Sequence, residues 1–443
     1  MTEPFFADVP ERIPYASSGR RDPLAFKVYE PDLLVLGRRM EDWLRISVAY
    51  WHSFAWDGTD MFGRGTFDRP WDDRSLDPMA AARLKMAAAF EFASKLGVPF
   101  YCFHDADVAP AGASFRESKA NLDALADDAL GYQERTGVRL LWGTANLFSH
   151  PRYQAGAATN PDPAVFAYAA AQVTQMLAVT KRLGGANYVL WGGREGYDSL
   201  LNTDLRREGE QLARFLHLVA EEKHRIGFDG TLLIEPKPME PTKHQYDRDV
   251  AAVHGFLARH GLEGEYKVNI EANHATLAGH AFHHEVAYAA AHGLLGSIDA
   301  NRGDPQNGWD TDQVPNSVDD LVMPLYEIVK AGGLGTGGFN FDAKRRRQSI
   351  DDVDLFHAHI GGIDTLARSL LVAARLVEDD SLATMKAERY AGWGTGLGRE
   401  ITSGSSTLAS LAERVENGEI APSPVSGRQE LYENVVGNAT WQT

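Results

Sequence analysis

Eight short apolar runs, at 46–50, 98–103, 138–142, 187–191, 231–234, 266–270, 294–298 and 338–341, recur along most of this chain. Their spacing of roughly 30 to 50 residues leaves room for a helix between successive runs. Between them lie alanine-rich stretches with a helical period, among them 79–96, 163–183, 205–226, 247–260 and 283–292. Strand followed by helix, eight times over, is the outline of an α/β (β/α)8 TIM barrel. One such barrel commonly takes about 250 residues, so a chain of 443 residues holds a barrel and an appendage. The expected division is an irregular N-terminal segment over 1–40, rich in Pro, Arg and aromatic residues, a catalytic barrel over 41–350, and a mainly helical C-terminal arm over 351–443. The arm begins with a helical pattern at 354–379 and continues as a Gly/Ser/Thr-rich tail with few apolar runs. Such a tail is too poor in apolar residues for a core of its own and is expected to pack on a neighbouring subunit. No internal repeat is visible.

A barrel of this kind carries its chemistry where the strands end on their C-terminal side. At those ends stand His104, Glu235, Glu271, Asp299 and Asp342, and the loop Gly308-Trp309-Asp310-Thr311-Asp312 adds two more carboxylates. Carboxylates a few ångströms apart raise one another's pKa and destabilise a fold unless a cation joins them. Cys102 is the single cysteine, which excludes an intrachain disulfide or a thiolate cluster, so metal ligands must be oxygen or imidazole. An oxygen-rich set with one imidazole, His274, suits Mg²⁺, Mn²⁺ or Co²⁺ better than structural zinc or copper. Glu235, Glu271, His274, Asp299, Asp310, Asp312 and Asp342 are too many ligands for one six-coordinate ion that must also hold substrate. Two divalent cations bridged by a carboxylate are therefore expected.

The formal net charge of −17 disfavours a grip on nucleic-acid phosphates. The N-terminal residues lack a basic region followed by an apolar stretch, and no run approaches the length of a membrane span. A cytoplasmic enzyme with a small-molecule substrate, and with neither a nucleic acid nor a membrane as partner, is the expectation.

Several motifs have two readings. Glu235 and Lys237 are two apart, so on a strand both point into the barrel mouth; they form either a buried ion pair or a carboxylate beside a donor to a substrate oxygen. Pro236 and Pro238 mark where strand becomes rim. Glu271 and His274 end another strand, three apart, close enough in a turn to reach one ion. Asp310-Thr311-Asp312 is either a solvated turn or part of the same ligand set. In His104-Asp105-Ala106-Asp107, a histidine oriented by a carboxylate fits acid/base chemistry, while Asp105 and Asp107 also suit helix caps. Trp51, Trp142 and Trp191, at or just past strand ends, either line a sugar site or fill the core. The glycine-rich segment 332–338 precedes a strand, whereas a dinucleotide fingerprint follows one, and it reads as a loop. Lys344-Arg345-Arg346-Arg347, directly after Asp342, reads as a balance for acidic neighbours or as a subunit contact.

The motifs Tyr-Cys-Phe-His-Asp-Ala-Asp (101–107), Trp-Gly-Gly-Arg-Glu-Gly-Tyr (191–197), Ile-Glu-Pro-Lys-Pro (234–238), Asn-Ile-Glu-Ala-Asn-His (269–274), Gly-Trp-Asp-Thr-Asp (308–312) and Asn-Phe-Asp-Ala-Lys (340–344) together resemble xylose isomerase. The resemblance runs from about residue 22 to the C-terminal tail, and the long N-terminal segment is similar to the class II branch. Asp198, where the family would carry glutamate, is a conservative departure away from the ligand positions. The resemblance implies a homotetrameric TIM barrel that converts D-xylose to D-xylulose and, less efficiently, D-glucose to D-fructose. It implies that Glu235, Glu271, Asp299 and Asp342 hold one Mg²⁺ and that Glu271, His274, Asp310 and Asp312 hold a second. It further implies that His104, steadied by Asp107, assists ring opening, that hydride then moves from C2 to C1, and that Lys237 donates to O1. Trp51 and Trp191 would line the substrate pocket, and Phe62 or Phe26 would reach into a neighbour's site. The rival expectations are a related metal-dependent sugar epimerase or isomerase working by enediol proton transfer, a barrel endonuclease, and a non-catalytic sugar-binding protein.

Overall fold

The computed structural model describes residues 4–16, 22–73 and 75–441. Eight parallel strands close into a barrel: β1 (Ile46–Ala49), β2 (Phe100–His104), β3 (Arg139–Thr144), β4 (Asn187–Trp191), β5 (Thr231–Glu235), β6 (Tyr266–Glu271), β7 (Leu295–Asp299) and β8 (Phe339–Phe341). Every strand pairs with the next in sequence, and β8 returns to β1 through Phe339↔Ile46 and Phe341↔Val48. Each lies within two residues of an apolar run in the sequence. The strands are buried along nearly their whole length, as a parallel sheet covered on both faces requires. Phe100, Cys102, Leu141, Trp142, Val189 and Leu233 form a packed cluster against which Trp51 lies. Trp142 is therefore core, not pocket surface alone.

The outer ring contains α1 (Pro78–Leu96), α2 (Phe115–Thr136), α3 (Pro163–Arg182), α4 (Leu205–Ile226), α5 (Val250–His260), α6 (Ala272–Leu277), α7 (Phe282–Ala291) and α8 (Val318–Lys330). Local chemistry sets their ends. Asp77, Ser114, Asp162, Asp204, Asp249 and Ser317 each accept a backbone N–H as N-caps of α1, α2, α3, α4, α5 and α8, and left-handed Gly97, Gly137, Gly227 and Gly261 end α1, α2, α4 and α5. Among the described residues before Met40, regular pairing is confined to a short hairpin, Leu34–Val35 against Arg38–Arg39, and a single bridge between Tyr15 and Phe26. This segment is tied down by the Asp364 carboxylate, which accepts from the Lys27, Val28 and Tyr29 amides at 2.7, 2.9 and 2.8 Å.

The chain divides into two compact units, Met1–Ser369 and Leu370–Thr443, with the boundary inside the long helix α9 (Val353–Asp379). The second unit continues with α10 (Ser381–Tyr390), α11 (Gly396–Thr402), α12 (Leu408–Glu416) and α13 (Gln429–Trp441). In α11, α12 and α13 no described residue is buried, and Trp393, Leu408 and Trp441 are exposed.

Candidate metal centre and active site

The barrel places His104, Glu235, Glu271 and Asp299 as the last residues of β2, β5, β6 and β7, with Asp342 one residue beyond β8. All five are buried. Ligand-capable oxygens of Glu235, Glu271, Asp299 and Asp342 lie within 4.8 Å of one another, as do those of Glu271, Asp310 and Asp312 and the atoms of Glu235, Glu271 and His274. Glu271 belongs to all three groups. His274, on the first turn of α6, brings Nε2 to 3.1 Å from Glu271 and 3.3 Å from Asp310, while its Nδ1 is buried without a hydrogen bond.

Neutral amides hold the carboxylates in place. Asn269 Nδ2 donates to Glu235 at 3.0 Å and to Asp299 at 2.8 Å. Asn340 donates to Asp299 at 2.8 Å and is itself fixed by Ser47 Oγ at 2.9 Å. Asn301 Nδ2 donates to Glu271 at 2.7 Å and to the Asp342 carbonyl at 2.8 Å. A register shift between Val268 and Asn269 sets Asn269 opposite Ser297, the kind of local adjustment that re-aims a side chain next to a site.

The electrostatics call for a cation. Burial, with the charges of its acidic neighbours, pushes the Glu235 and Glu271 carboxyls well above the usual range and raises Asp299 to about 8. Asp342 is held low because His52 at 2.9 Å outweighs its burial, and Asp310 because His274 and Lys237 outweigh its own. Against six carboxylates stand Lys237, Lys344 at 3.0 Å from Asp312, and His52, whose pKa the Asp342 and Asp312 charges lift to about 9 against the effect of burial. With all six carboxylates ionised and His274 neutral, as metal ligation requires, three negative charges would remain unbalanced, and the candidate ligands are oxygen with one imidazole, a set that fits two hard divalent cations.

Around this centre a cleft of about 200 Å³ is lined by Trp51, His104, Trp142, Phe148, Trp191 and Lys237 together with every carboxylate of the set but Asp299. His104 Nδ1 meets Asp107 at 2.8 Å, and the same carboxylate accepts the His104 backbone N–H at 3.1 Å. Its neighbour Asp105 instead accepts from the Asn146 amide at 2.7 Å and from Gln172 at 3.1 Å, tying β2 to the following elements. Burial lowers the His104 pKa, but the Asp107 charge and hydrogen bond outweigh it and the net shift is upward. Lys237 Nζ sits 2.5 Å from Asp310 and 5.3 Å from the centre of the Trp191 ring. Trp51 Nε1 donates to Asp342 at 2.8 Å, and its ring meets His104 edge-on at 4.6 Å.

Phe62 is not among the residues lining the cleft of its own chain; it is 77% exposed and touches Trp309. Phe26 is buried against Tyr29, so of the two only Phe62 is free to reach another molecule. Among the residues that touch the ligand set, His52, Asn269, Asn273, Asn301 and Asn340 have no place in the sequence reading. Asn269, Asn301 and Asn340 lie beside predicted ligands at strand ends, and His52 beside Trp51, which is the local signal they carry.

The family of the XylA2 C-terminal domain matches residues 386–440. The chain is 60% identical over 426 residues to the xylose isomerase of Pectobacterium carotovorum, covering 96% of this chain and 97% of that protein. It is 60% identical over 431 residues to the xylose isomerase of Mannheimia succiniciproducens (97% and 98%) and 59% over 433 residues to that of Escherichia fergusonii (98% and 98%). Among solved structures, a putative xylose isomerase from Rhodospirillum rubrum superposes with a TM-score of 0.50 at 14% identity over 73% of this chain and 98% of that one, a likeness of fold. With about three residues in five shared over almost the full length, the chain belongs to the xylose isomerase family.

Proposed function

We propose that this protein isomerises D-xylose to D-xylulose, and D-glucose to D-fructose less efficiently, by ring opening followed by transfer of hydride from C2 to C1. The observation that carries the reading is the overlap of the ligand groups on Glu271, flanked in one cleft by the His104–Asp107 pair and by Lys237. Glu235, Glu271, Asp299 and Asp342 would hold one divalent cation, and Glu271, His274, Asp310 and Asp312 the second. Mg²⁺ is the expected ion, with Mn²⁺ or Co²⁺ able to replace it. When bound, such cations polarise the sugar oxygens and favour alkoxide character on the two reacting carbons. With Nδ1 engaged by Asp107, His104 keeps Nε2 for the proton exchange that opens the cyclic sugar. Lys237, desolvated and held cationic by Asp310, is a hydrogen-bond donor for O1. Trp51 and Trp191 limit water at the reacting carbons, where solvent would trap charge.

We also read the protein as a cytoplasmic homotetramer with a sugar as its small-molecule partner. Its lone cysteine is buried, which suits a reducing compartment, and no helix among the described residues is long and apolar enough to cross a membrane. The exposed apolar side chains of the second unit and Phe62 suit contacts with other copies of the chain.

The deciding experiment strips the protein with chelator, restores Mg²⁺, Mn²⁺ or Co²⁺ separately, and assays D-xylose in tritiated water. Metal-dependent D-xylulose with little tritium incorporated is the expected result. Extensive incorporation would replace the hydride shift by enediol proton transfer, and absence of ketose with every ion would remove the xylose assignment.

A further inference from the structure

A second cluster of side chains of metal-ligating type lies at the starts of two outer helices, and it shares no residue with the barrel mouth. Glu285, in the first turn of α7, is buried, yet it uses only Oε2 in a hydrogen bond, accepting the Val250 amide of α5 at 2.8 Å. Its Oε1 faces His280 Nε2 at 4.0 Å and His284 Nε2 at 3.9 Å. Asp249 repeats the arrangement: Oδ1 caps α5 by accepting from Ala252 at 2.7 Å, while Oδ2 lies 3.5 Å from His280 Nε2. Each carboxylate thus spends one oxygen on the start of α5 and turns the other toward imidazole.

These separations are longer than good hydrogen bonds. A tetrahedral ion with bonds of about 2.1 Å sets its ligands ~3.4 Å apart, so the Glu285 carboxylate would close on the two imidazoles by about half an ångström when the ion binds. Ligand atoms of His280, His284 and Glu285 all lie within 4.8 Å of one another, and the two rings stand 4.9 Å apart at 34°. Arg248 Nε also reaches Asp249 Oδ2, at 3.5 Å, so Asp249 is the weaker donor. Burial pushes the Glu285 carboxyl above its ordinary range, a cost that a bound dication removes.

We propose that His280, His284 and Glu285, with Asp249 beside them, form a binding site for one Zn²⁺ or a similar late divalent transition-metal ion. Two imidazoles and one carboxylate are a donor set that zinc uses with a fourth, open position, and the solvent-facing His284 ring leaves that position to water. The ion would pin the start of α7, whose Glu285 in turn holds the Val250 amide of α5, and would stabilise the folded state by binding it alone. Its softer ligands distinguish it from the oxygen-rich centre in the barrel mouth, so the two sites sort their ions by chemistry.

The test uses the full-length protein in excess Mg²⁺, titrated with Zn²⁺. Bound zinc per chain is measured by elemental analysis after gel filtration, and the melting temperature is followed in parallel for the native protein, His284→Gln and His280→Gln. The native protein is expected to retain one zinc that each variant fails to hold, and to show a zinc-dependent rise in melting temperature that each variant lacks. Activity in Mg²⁺ is expected to be equal in all three. Because the substituted rings are partly solvent-exposed, the variants are expected to fold. Equal zinc content and an equal thermal response in native protein and variants would overturn the site.

Discussion

Glu271 closes β6 with one oxygen toward His274 and the other held by Asn301. Replacing it removes a donor from both proposed ions at once. Glu271→Ala is expected to abolish isomerase activity and the metal-dependent rise in melting temperature together; turnover at the native rate would defeat the two-cation reading. Asp247 offers a test away from the ligands. Its Oδ1 is shut off from water without a hydrogen-bond partner, and burial, with a smaller contribution from Glu195, pushes its pKa up to about 7. A carboxyl raised in the folded state stabilises fully below its unfolded value of about 3.9, and that contribution is lost as pH rises through about 7. Asp247→Asn is neutral throughout, so its melting temperature should gain on the native protein between about pH 4 and about pH 7 and hold that gain above. A constant difference across that range would show that Asp247 does not titrate there. Glu235, Glu271, Asp299 and Asp342 could be picked out in the sequence as candidate ligands because each is a carboxylate at or next to the end of an apolar run. Asn269, Asn301 and Asn340 could not, since a neutral amide at a strand end has no distinguishing pattern until the carboxylates it serves are placed beside it.

Among the elements, the glycine-rich segment before β8 owes its composition to close packing, not to phosphate binding. Gly332, Gly333 and Gly335 adopt φ of +84°, +101° and +60°, and Arg45 clamps the segment by donating to the Thr336 and Gly337 carbonyls. A Cβ on Gly337 would collide with the Gly296 carbonyl oxygen, a backbone atom that no side-chain rotation can move. Gly337→Ala is therefore expected to destabilise the barrel by roughly 1–3 kcal/mol, read as a lower midpoint in denaturant; an unchanged midpoint would mean that β7 and β8 can separate without cost. The eight strands and five of the ring helices stood out because their periodicity and burial agree. α2 was less visible because it is largely polar and buries only Leu122, Leu125, Ala126 and Ala129, and α8 because it carries Pro324 in its interior, a residue that ordinarily signals a helix end.

For the whole molecule, the second unit leaves Trp393, Leu408, Val415 and Trp441 in contact with solvent, more large apolar surface than short helices ordinarily expose on an isolated chain. Removing the residues after Asp379 is expected to lower the mass of the assembly in sizing experiments while the barrel keeps its far-ultraviolet circular dichroism; an unchanged assembly would assign the subunit contacts to the first unit. By itself the sequence determined the order of the strands, five of the ring helices, the class of fold and the charged residues that stand at the strand ends, because periodicity and charge are local properties that a linear chain displays directly. Only the tertiary structure decided that His52 partly balances the carboxylates, that Lys344 pairs with Asp312, that Phe62 rather than Phe26 stays free, and that His280, His284 and Glu285 meet beside α5. Those relations depend on distances between residues far apart in the chain, which barrel closure and helix packing set and which no local pattern encodes.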